Sequence, residues 1–262
     1  MNRKRLLDLL IISIWSFSTV ATGFLLPIDN FFSKAFVLGF ISTIPPVIYM
    51  SSRKKKNWKR IALGTLVFGL LLGHLLEFVA HKSFIWQCKS LVFNSLIFGT
   101  STYDCTLGHG LMVIFMLTFY EHFLNKDVQH YIPKKVLIVL IPSLLIGMLL
   151  YFVPEYGVEI PVTSYPYFYI GILAIIPLIF LSLKNHKIIT KLLFMGVFFF
   201  AYYFFFELLA VYKSYWIYPG NNYIGWVEIL NLKFPFEELF FWMMLYAATI
   251  VSYYEIFIDD EK

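Results

Sequence analysis

Charge is what this chain has least of. Only 14% of its 262 residues are Asp, Glu, Lys or Arg, against about 25% in soluble domains. Hydrophobic residues make up 60%, and aromatic ones alone 20%. Too few polar groups remain to clothe a water-facing surface, which excludes a soluble globular enzyme and a disordered chain. With 2 cysteines, a disulfide scaffold is excluded as well. The sequence contains no GxGxxG and no HExxH, so neither a bound flavin or nicotinamide nor a zinc-hydrolase centre is expected.

What the chain does have is long apolar runs. Its solvent is therefore lipid, where every backbone polar group must be satisfied within helices or a closed barrel. The runs are continuous rather than alternating, which favours helices. The expected class is an all-α polytopic membrane protein. About 20 apolar residues make one crossing. Eight runs qualify: 6–26, 32–50, 61–80, 106–123, 136–153, 167–183, 192–211 and 235–257. The second is the weakest, with Lys34 near its start and Pro45-Pro46 near its end. The first is too long for the core of a cleaved signal peptide, and residues 26–29 make a poor cleavage site.

Basic residues set the orientation. Sixteen of the 21 fall on the N-terminus, the second, fourth and sixth loops and the C-terminus, and the remaining five on the opposite loops. Both termini are thus expected on the cytoplasmic side of the cell membrane. The net charge of +5 is a topology signal, with Arg53-Lys54-Lys55-Lys56 as an anchor to anionic headgroups. Nothing points to nucleic acid. Cys88 and Cys105 share one loop on the opposite side. They are either a disulfide or two free thiols.

The sequence also repeats. Glu77, Ala80 and Trp86 match Glu207, Ala210 and Trp216 at a constant offset of 130. Tyr120-Glu121-His122-Phe123 resembles Tyr254-Glu255-Ile256-Phe257 at an offset of 134. A tandem duplication is expected, with residues 1–130 and 131–262 as two parallel four-span units. Sites in membrane proteins often lie between such halves.

Ionisable groups inside a span suggest function. The densest set opens the last span, Phe234-Pro235-Phe236-Glu237-Glu238-Leu239-Phe240-Phe241. Proline suits a first helical turn, and carboxylates suit the positive end of the helix dipole. A capped helix start and a reactive site are both consistent with this. Two neighbouring carboxyls in a low dielectric do not both ionise cheaply, so one is expected to keep its proton as a general acid. Glu207 nears the same face, amid Tyr202, Tyr203, Tyr215, Trp216 and Trp242. Aromatic faces stabilise cations. They also form ordinary interfacial belts. In the first unit His74, Glu77 and His81 share a helical face, with His109 opposite. Metal ligands, a proton relay and structural histidines are all open there, and no metal is the expectation.

The run Glu207-x-x-Ala210, Trp216-x-Tyr218, Tyr223-Ile224-Gly225 and Leu232–Phe241 resembles the lycopene cyclase domain, a small integral-membrane family of paired or fused subunits. The resemblance is good over 184–257 and weaker over 32–123. Pro235, Glu237 and Glu238 match that family's Pro-x-Glu-Glu motif. Glu207 stands at its usual Asp, and Trp216 at its loop tryptophan. Lys213-Ser214-Tyr215 departs from the usual Gly before that Trp. In the first unit Thr106-Leu107-Gly108-His109 takes the motif's place without a carboxylate.

This resemblance implies redox-neutral cyclisation of a linear carotenoid end group to a β-ring, without a cofactor. Glu237 or Glu238 would be the acid and its partner or Glu207 the base. Pro235, Trp216, Tyr203, Phe241 and Trp242 would line the substrate. The partners implied are the carotenoid, membrane lipid, and further copies of the chain or carotenoid-pathway enzymes. The alternatives are a non-catalytic carotenoid- or lipid-binding relative and a proton-coupled transporter. An intramembrane Glu-Glu protease is disfavoured because no His follows His186, and a retinal photoreceptor because the last span lacks a lysine.

Overall fold

The computed structural model describes residues 3–27, 39–53, 57–88, 96–97, 101–125, 134–152 and 164–259. These form eight helices: α1 (Arg3–Leu25), α2 (Phe40–Arg53), α3 (Trp58–Lys82), α4 (Tyr103–Phe123), α5 (Leu137–Phe152), α6 (Pro166–Lys184), α7 (His186–Tyr212) and α8 (Glu238–Phe257). Five of them, α1, α3, α6, α7 and α8, are long and apolar enough to cross a membrane. The expected eight segments all contain helix. Residues 32–38 of the second and 153 of the fifth lie outside the described residues, as do Lys34 and Lys54–Lys56.

The all-α expectation needs one correction. The loops carry short antiparallel strand pairs: β1 (Gln87–Cys88) with β4 (Trp216–Ile217), β2 (Leu96–Ile97) with β3 (Ser101–Thr102), and β5 (Trp226–Ile229) with β6 (Leu232–Pro235). Pro235 therefore ends a strand and pairs with Trp226, rather than opening the last helix. Lacking an N–H, proline is tolerated at such a strand edge.

The helix at the centre is α4. Phe115, Met116, Leu117, Phe119 and Tyr120 are all fully buried. Aromatic rings carry much of its packing: Phe115 and Phe119 lie 5.2 and 5.3 Å from Phe199 of α7, edge-on. Such pairs add roughly 0.5–1.5 kcal/mol beyond their area. Asp104, Thr106, His109, Glu121 and His122 are also buried on α4. Such polar groups belong on an inner helix, which neighbours can satisfy, rather than on a lipid-facing one.

Small residues set the approach of α3 to α4. A Cβ added at Gly69 would meet Gly110 Cα at 3.0 Å, and one at Gly73 would meet His109 Cβ at 2.8 Å. This is the small-xxx-small spacing by which membrane helices come into close contact. The backbone at Gly110 cannot yield as a flexible side chain would. Gly69→Val should therefore cost about 1–3 kcal/mol, the usual penalty of overpacking. A lowered midpoint of thermal unfolding in detergent checks this, and an unchanged midpoint would refute the contact.

Helix α2 runs through Pro45 and Pro46. Pro45 has no N–H for the carbonyl of Ile41, and the indole of Trp15 on α1 donates to that carbonyl at 2.8 Å. A neighbouring helix thus satisfies the acceptor that the proline frees. At the other tight junction Asn185 alone separates α6 from α7. Its side chain caps α7 by accepting from Lys187 N at 3.2 Å. That cap starts α7 at His186, six residues before the expected boundary at 192.

The two ends of the bundle differ. At one end Arg5 donates to the Phe123 carbonyl at 3.2 Å, His122 meets Asp8 at 3.0 Å, Arg60 pairs with Asp259, and Lys191 reaches Tyr120 at 3.2 Å. The start of α1 and the end of α8 share this basic end. The opposite end carries Glu77, Glu207, Glu237 and Glu238.

The contacts also recur along the chain. Helices α3 and α7 end in the same wrap: Ile85 N donates to Ala80 O at 2.8 Å, and Tyr215 N to Ala210 O at 2.9 Å. Phe84 and Ser214, 130 residues apart, both hold φ 55° at the left-handed position that closes such ends. Gln87 and Ile217, also 130 apart, face each other in the β1–β4 pair, so a local two-fold axis passes between them. At the basic end, Tyr120 donates to Glu255 while Tyr254 donates to Glu121, a reciprocal exchange at offset 134.

Candidate functional site

The last turns of α3 and α7 each aim a glutamate at the tryptophan nine residues on. Trp86 Nε1 donates to Glu77 Oε1 at 3.1 Å, and Trp216 Nε1 to Glu207 Oε1 at 2.6 Å. The left-handed residues at Phe84 and Ser214 make this possible, because they turn each chain back over its own helix end. A cavity of about 70 Å³ lies between the two wraps. On the scale where one water needs roughly 10–15 Å³, it holds about five waters or the tip of an apolar chain.

Both halves of the chain line it. Glu77, Trp86, Asp104, Gly108, His109 and Met112 come from the first, with the Cys88–Cys105 disulfide. Tyr167, Trp216, Tyr218, Glu238 and Trp242 come from the second. Glu238 accepts from the Tyr167 hydroxyl at 2.5 Å. The Tyr218 hydroxyl donates to Glu207 Oε1. Burial and the neighbouring Glu207 and Glu238 carboxyls push the Tyr218 phenol well above its ordinary range, so it serves as a donor. Across the cavity Glu77 Oε1 meets His109 Nε2 at 2.8 Å, and the imidazole stands edge-on to Trp242 at 5.1 Å. Trp242 stacks in turn on Tyr246 at 4.2 Å.

The expected site residues divide. Glu238, Trp216 and Trp242 line the cavity, and Glu207 reaches it through its bonds to Trp216 and Tyr218. Glu237 is fully buried but turns aside, accepting from Ile224 N at 2.7 Å and so holding the 218–225 loop. Tyr203 sits behind Trp242, with ring centroids 5.8 Å apart. Phe241 packs on Phe168 of α6 at 6.2 Å, and Pro235 stays in its strand. None of these last three is in the lining.

The first half does carry an acid at the motif's counterpart, contrary to the expectation at 106–109. Asp104 stands 16 residues before Tyr120, as Glu238 stands 16 before Tyr254, and these two tyrosines make the reciprocal bonds. Asp104 is fully buried and lines the same cavity. Reading the last helices at offset 134 would have found it.

His74 bonds to Thr106 Oγ1 at 3.2 Å, on a different line from the Glu77–His109 pair. Oxygen and sulfur atoms of Glu77, Cys88 and Cys105 lie within 4.8 Å of one another, but the two sulfurs are bonded to each other. Thiolates, the form that ligates metals, are therefore not on offer. The bridge spans 17 residues and ties β1 to the start of α4. Loop-closure entropy assigns such a bridge about 3 kcal/mol. Treatment with a reductant should lower the unfolding midpoint accordingly, and Cys88→Ser should abolish that response.

No family model, curated protein or solved structure matches this chain.

Proposed function

We propose that the chain is a carotenoid end-group cyclase of the lycopene cyclase domain type, embedded in the cytoplasmic membrane. One observation supports this most directly. Two buried carboxyls, Glu207 and Glu238, each accept from a tyrosine hydroxyl, that of Tyr218 and that of Tyr167, beside a cavity walled by Trp86, Trp216 and Trp242. Protonating an alkene needs a carboxylic acid kept from water, and the cation that follows needs π-faces and no nucleophile.

In this reading Glu238 donates its proton to the terminal double bond of a linear carotenoid. The tertiary cation draws in the next double bond and closes a six-membered ring. Loss of a ring proton then gives the β-ring, with no net oxidation. Tyr167 holds the Glu238 carboxyl in place and stabilises the carboxylate left behind. Glu237 supports the loop over the site, and Pro235 sets the strand that leads into Glu238.

The finer topology belongs to the same proposal. Eight spans put both termini in the cytoplasm, in keeping with the clustering of Arg5, Arg53, Arg60 and Lys191 at one end. A tandem duplication, 1–130 and 131–262, is supported by the contacts that recur at offsets of 130 and 134. The substrate is lipid-soluble and would arrive from the bilayer, from other copies of this chain or from pathway enzymes.

Expression in a lycopene-accumulating bacterium tests the function. Conversion of the pigment to ring-bearing products is the expected result. Unchanged pigment would overturn it, and tight pigment binding without conversion would make the protein a carotenoid binder.

A further inference from the structure

The two halves of the cavity differ in one respect that bears on the proton's exit. The glutamates are matched, Glu77 with Glu207, and so are the indoles upon them. The third groups are not. Glu207 has a phenol, Tyr218, whereas Glu77 has an imidazole, His109. At offset 134 His109 corresponds to Met243, so the second half has no such group. A phenol offers one O–H, whereas an imidazole is held through two ring nitrogens: His109 Nε2 meets Glu77 at 2.8 Å and Nδ1 lies 3.4 Å from the Tyr246 hydroxyl. Two ring nitrogens, Trp86 Nε1 and His109 Nε2, thus converge on Glu77 Oε1 and hold its carboxyl in the cavity wall, which Glu207 does not line. Oε2 carries neither of these bonds.

We infer that Glu77 is the base that receives the ring proton, with His109 as its positioning residue. This rests on the cyclase reading and deepens it. Protonation and deprotonation then occur on opposite walls, one supplied by each half of the chain. The proton of Glu238 adds to the end-group double bond, whose π pair becomes the new C–H bond and leaves a tertiary cation. The neighbouring alkene's π pair forms the ring bond and moves the charge to a ring carbon. The adjacent C–H bond breaks, its pair becomes the ring double bond, and its proton passes to Glu77. Product and substrate are isomers, and water entering the emptied cavity returns the proton from Glu77 to Glu238. A fixed base on one wall also chooses which C–H breaks, so Glu77 determines ring type as well as rate.

The test uses the full chain in proteoliposomes loaded with lycopene, comparing wild type with Glu77→Gln, Glu77→Asp, His109→Asn and Glu238→Gln. Rates are read with the share of β-rings against isomers whose double bond lies elsewhere. Glu77→Gln should slow β-ring formation about a hundredfold, within the range for a general base, and raise the share of the other isomers. Glu77→Asp should restore the β share at a reduced rate. His109→Asn should lose about tenfold with the same shift in isomers. Lycopene binding, followed by the polyene absorbance shift, should persist in all three and thereby report that they fold. Wild-type rate and isomer share in Glu77→Gln, with Glu238→Gln inactive, would overturn the inference and leave the cyclase reading standing. An inactive wild type would overturn that reading and this inference together, and an active Glu238→Gln would remove Glu238 as the acid and with it the inference that pairs it with Glu77.

Discussion

Glu238→Gln should reduce ring formation by about a thousandfold or more, while Glu237→Gln should keep most of it. The two residues are adjacent in sequence, and the difference follows from where each side chain goes. Glu238 lines the cavity and is hydrogen-bonded by the Tyr167 hydroxyl at 2.5 Å. An amide at that position fills the same space and keeps a hydrogen bond from Tyr167, but it has no proton acidic enough for an alkene. General acids contribute about 10²–10⁴-fold. Protonation of an unactivated alkene is demanding, so the middle to upper part of that range applies. Glu237 Oε1 instead accepts from Ile224 N, a role that an amide oxygen fills equally well. Measured turnover of lycopene in proteoliposomes separates the two. Equal losses in both variants would show that the adjacent pair acts as one unit, and Glu238→Gln above a tenth of wild-type rate would remove it as the acid.

Asp259→Leu should cost about 3–5 kcal/mol of stability, the largest single effect expected outside the site, because it strands a buried guanidinium. Arg60 is 2% exposed, pairs with the fully buried Asp259 carboxylate, and lies 5.4 Å over the ring of Tyr254. Asn125 ties the pair into the rest of the basic end, donating to Asp259 at 2.8 Å and to Glu121 at 3.1 Å. The single change removes the counter-charge and leaves Arg60 in place. Changing both partners, Arg60→Met with Asp259→Leu, removes both charges and should recover most of the loss. Unfolding in mixed SDS micelles gives the comparison. If the double variant is no more stable than the single one, the network of Asn125, Glu121 and Tyr254 holds this end rather than the ion pair.

Much of this molecule is legible in its composition and spacing. Glu77, Ala80 and Trp86 with Glu207, Ala210 and Trp216 mark two equivalent helix ends, and the structure places the same wrap at both. The spacing is readable because the wrap is local: a helix end, one left-handed residue and a tryptophan returning nine positions on. Other features escape such reading. The β5–β6 hairpin lies in a loop crowded with aromatics, where period-two alternation is masked, so Pro235 looks like a helix start. Asp104 is hard to recognise in the sequence because the offset changes from 130 to 134 between the two helices of each half.

The divergence of Glu237 and Glu238 is of another kind. Successive helical residues point about 100° apart, so only one of an adjacent pair can face a given cavity. In a span that is apolar all round, no amphipathic pattern says which one. The same holds for His109 and Glu77. Their distance from Glu238 along the chain is large, and only the packing of α3 and α4 beside α8 brings them to one cavity.

By itself, then, the sequence determined the lipid solvent, the helical class, the repeated helix ends and the gathering of acids at one face. Each of these follows from composition or from contacts within a few turns. The tertiary structure decided which acids meet: Glu238, Glu207, Asp104 and Glu77 around one space, with Glu237 turned away. It also decided that two cysteines are joined beside them. The physical reason is that side-chain direction and the packing of one half on the other are set by the whole bundle, through close glycine contacts and buried ring stacks that no local spacing records.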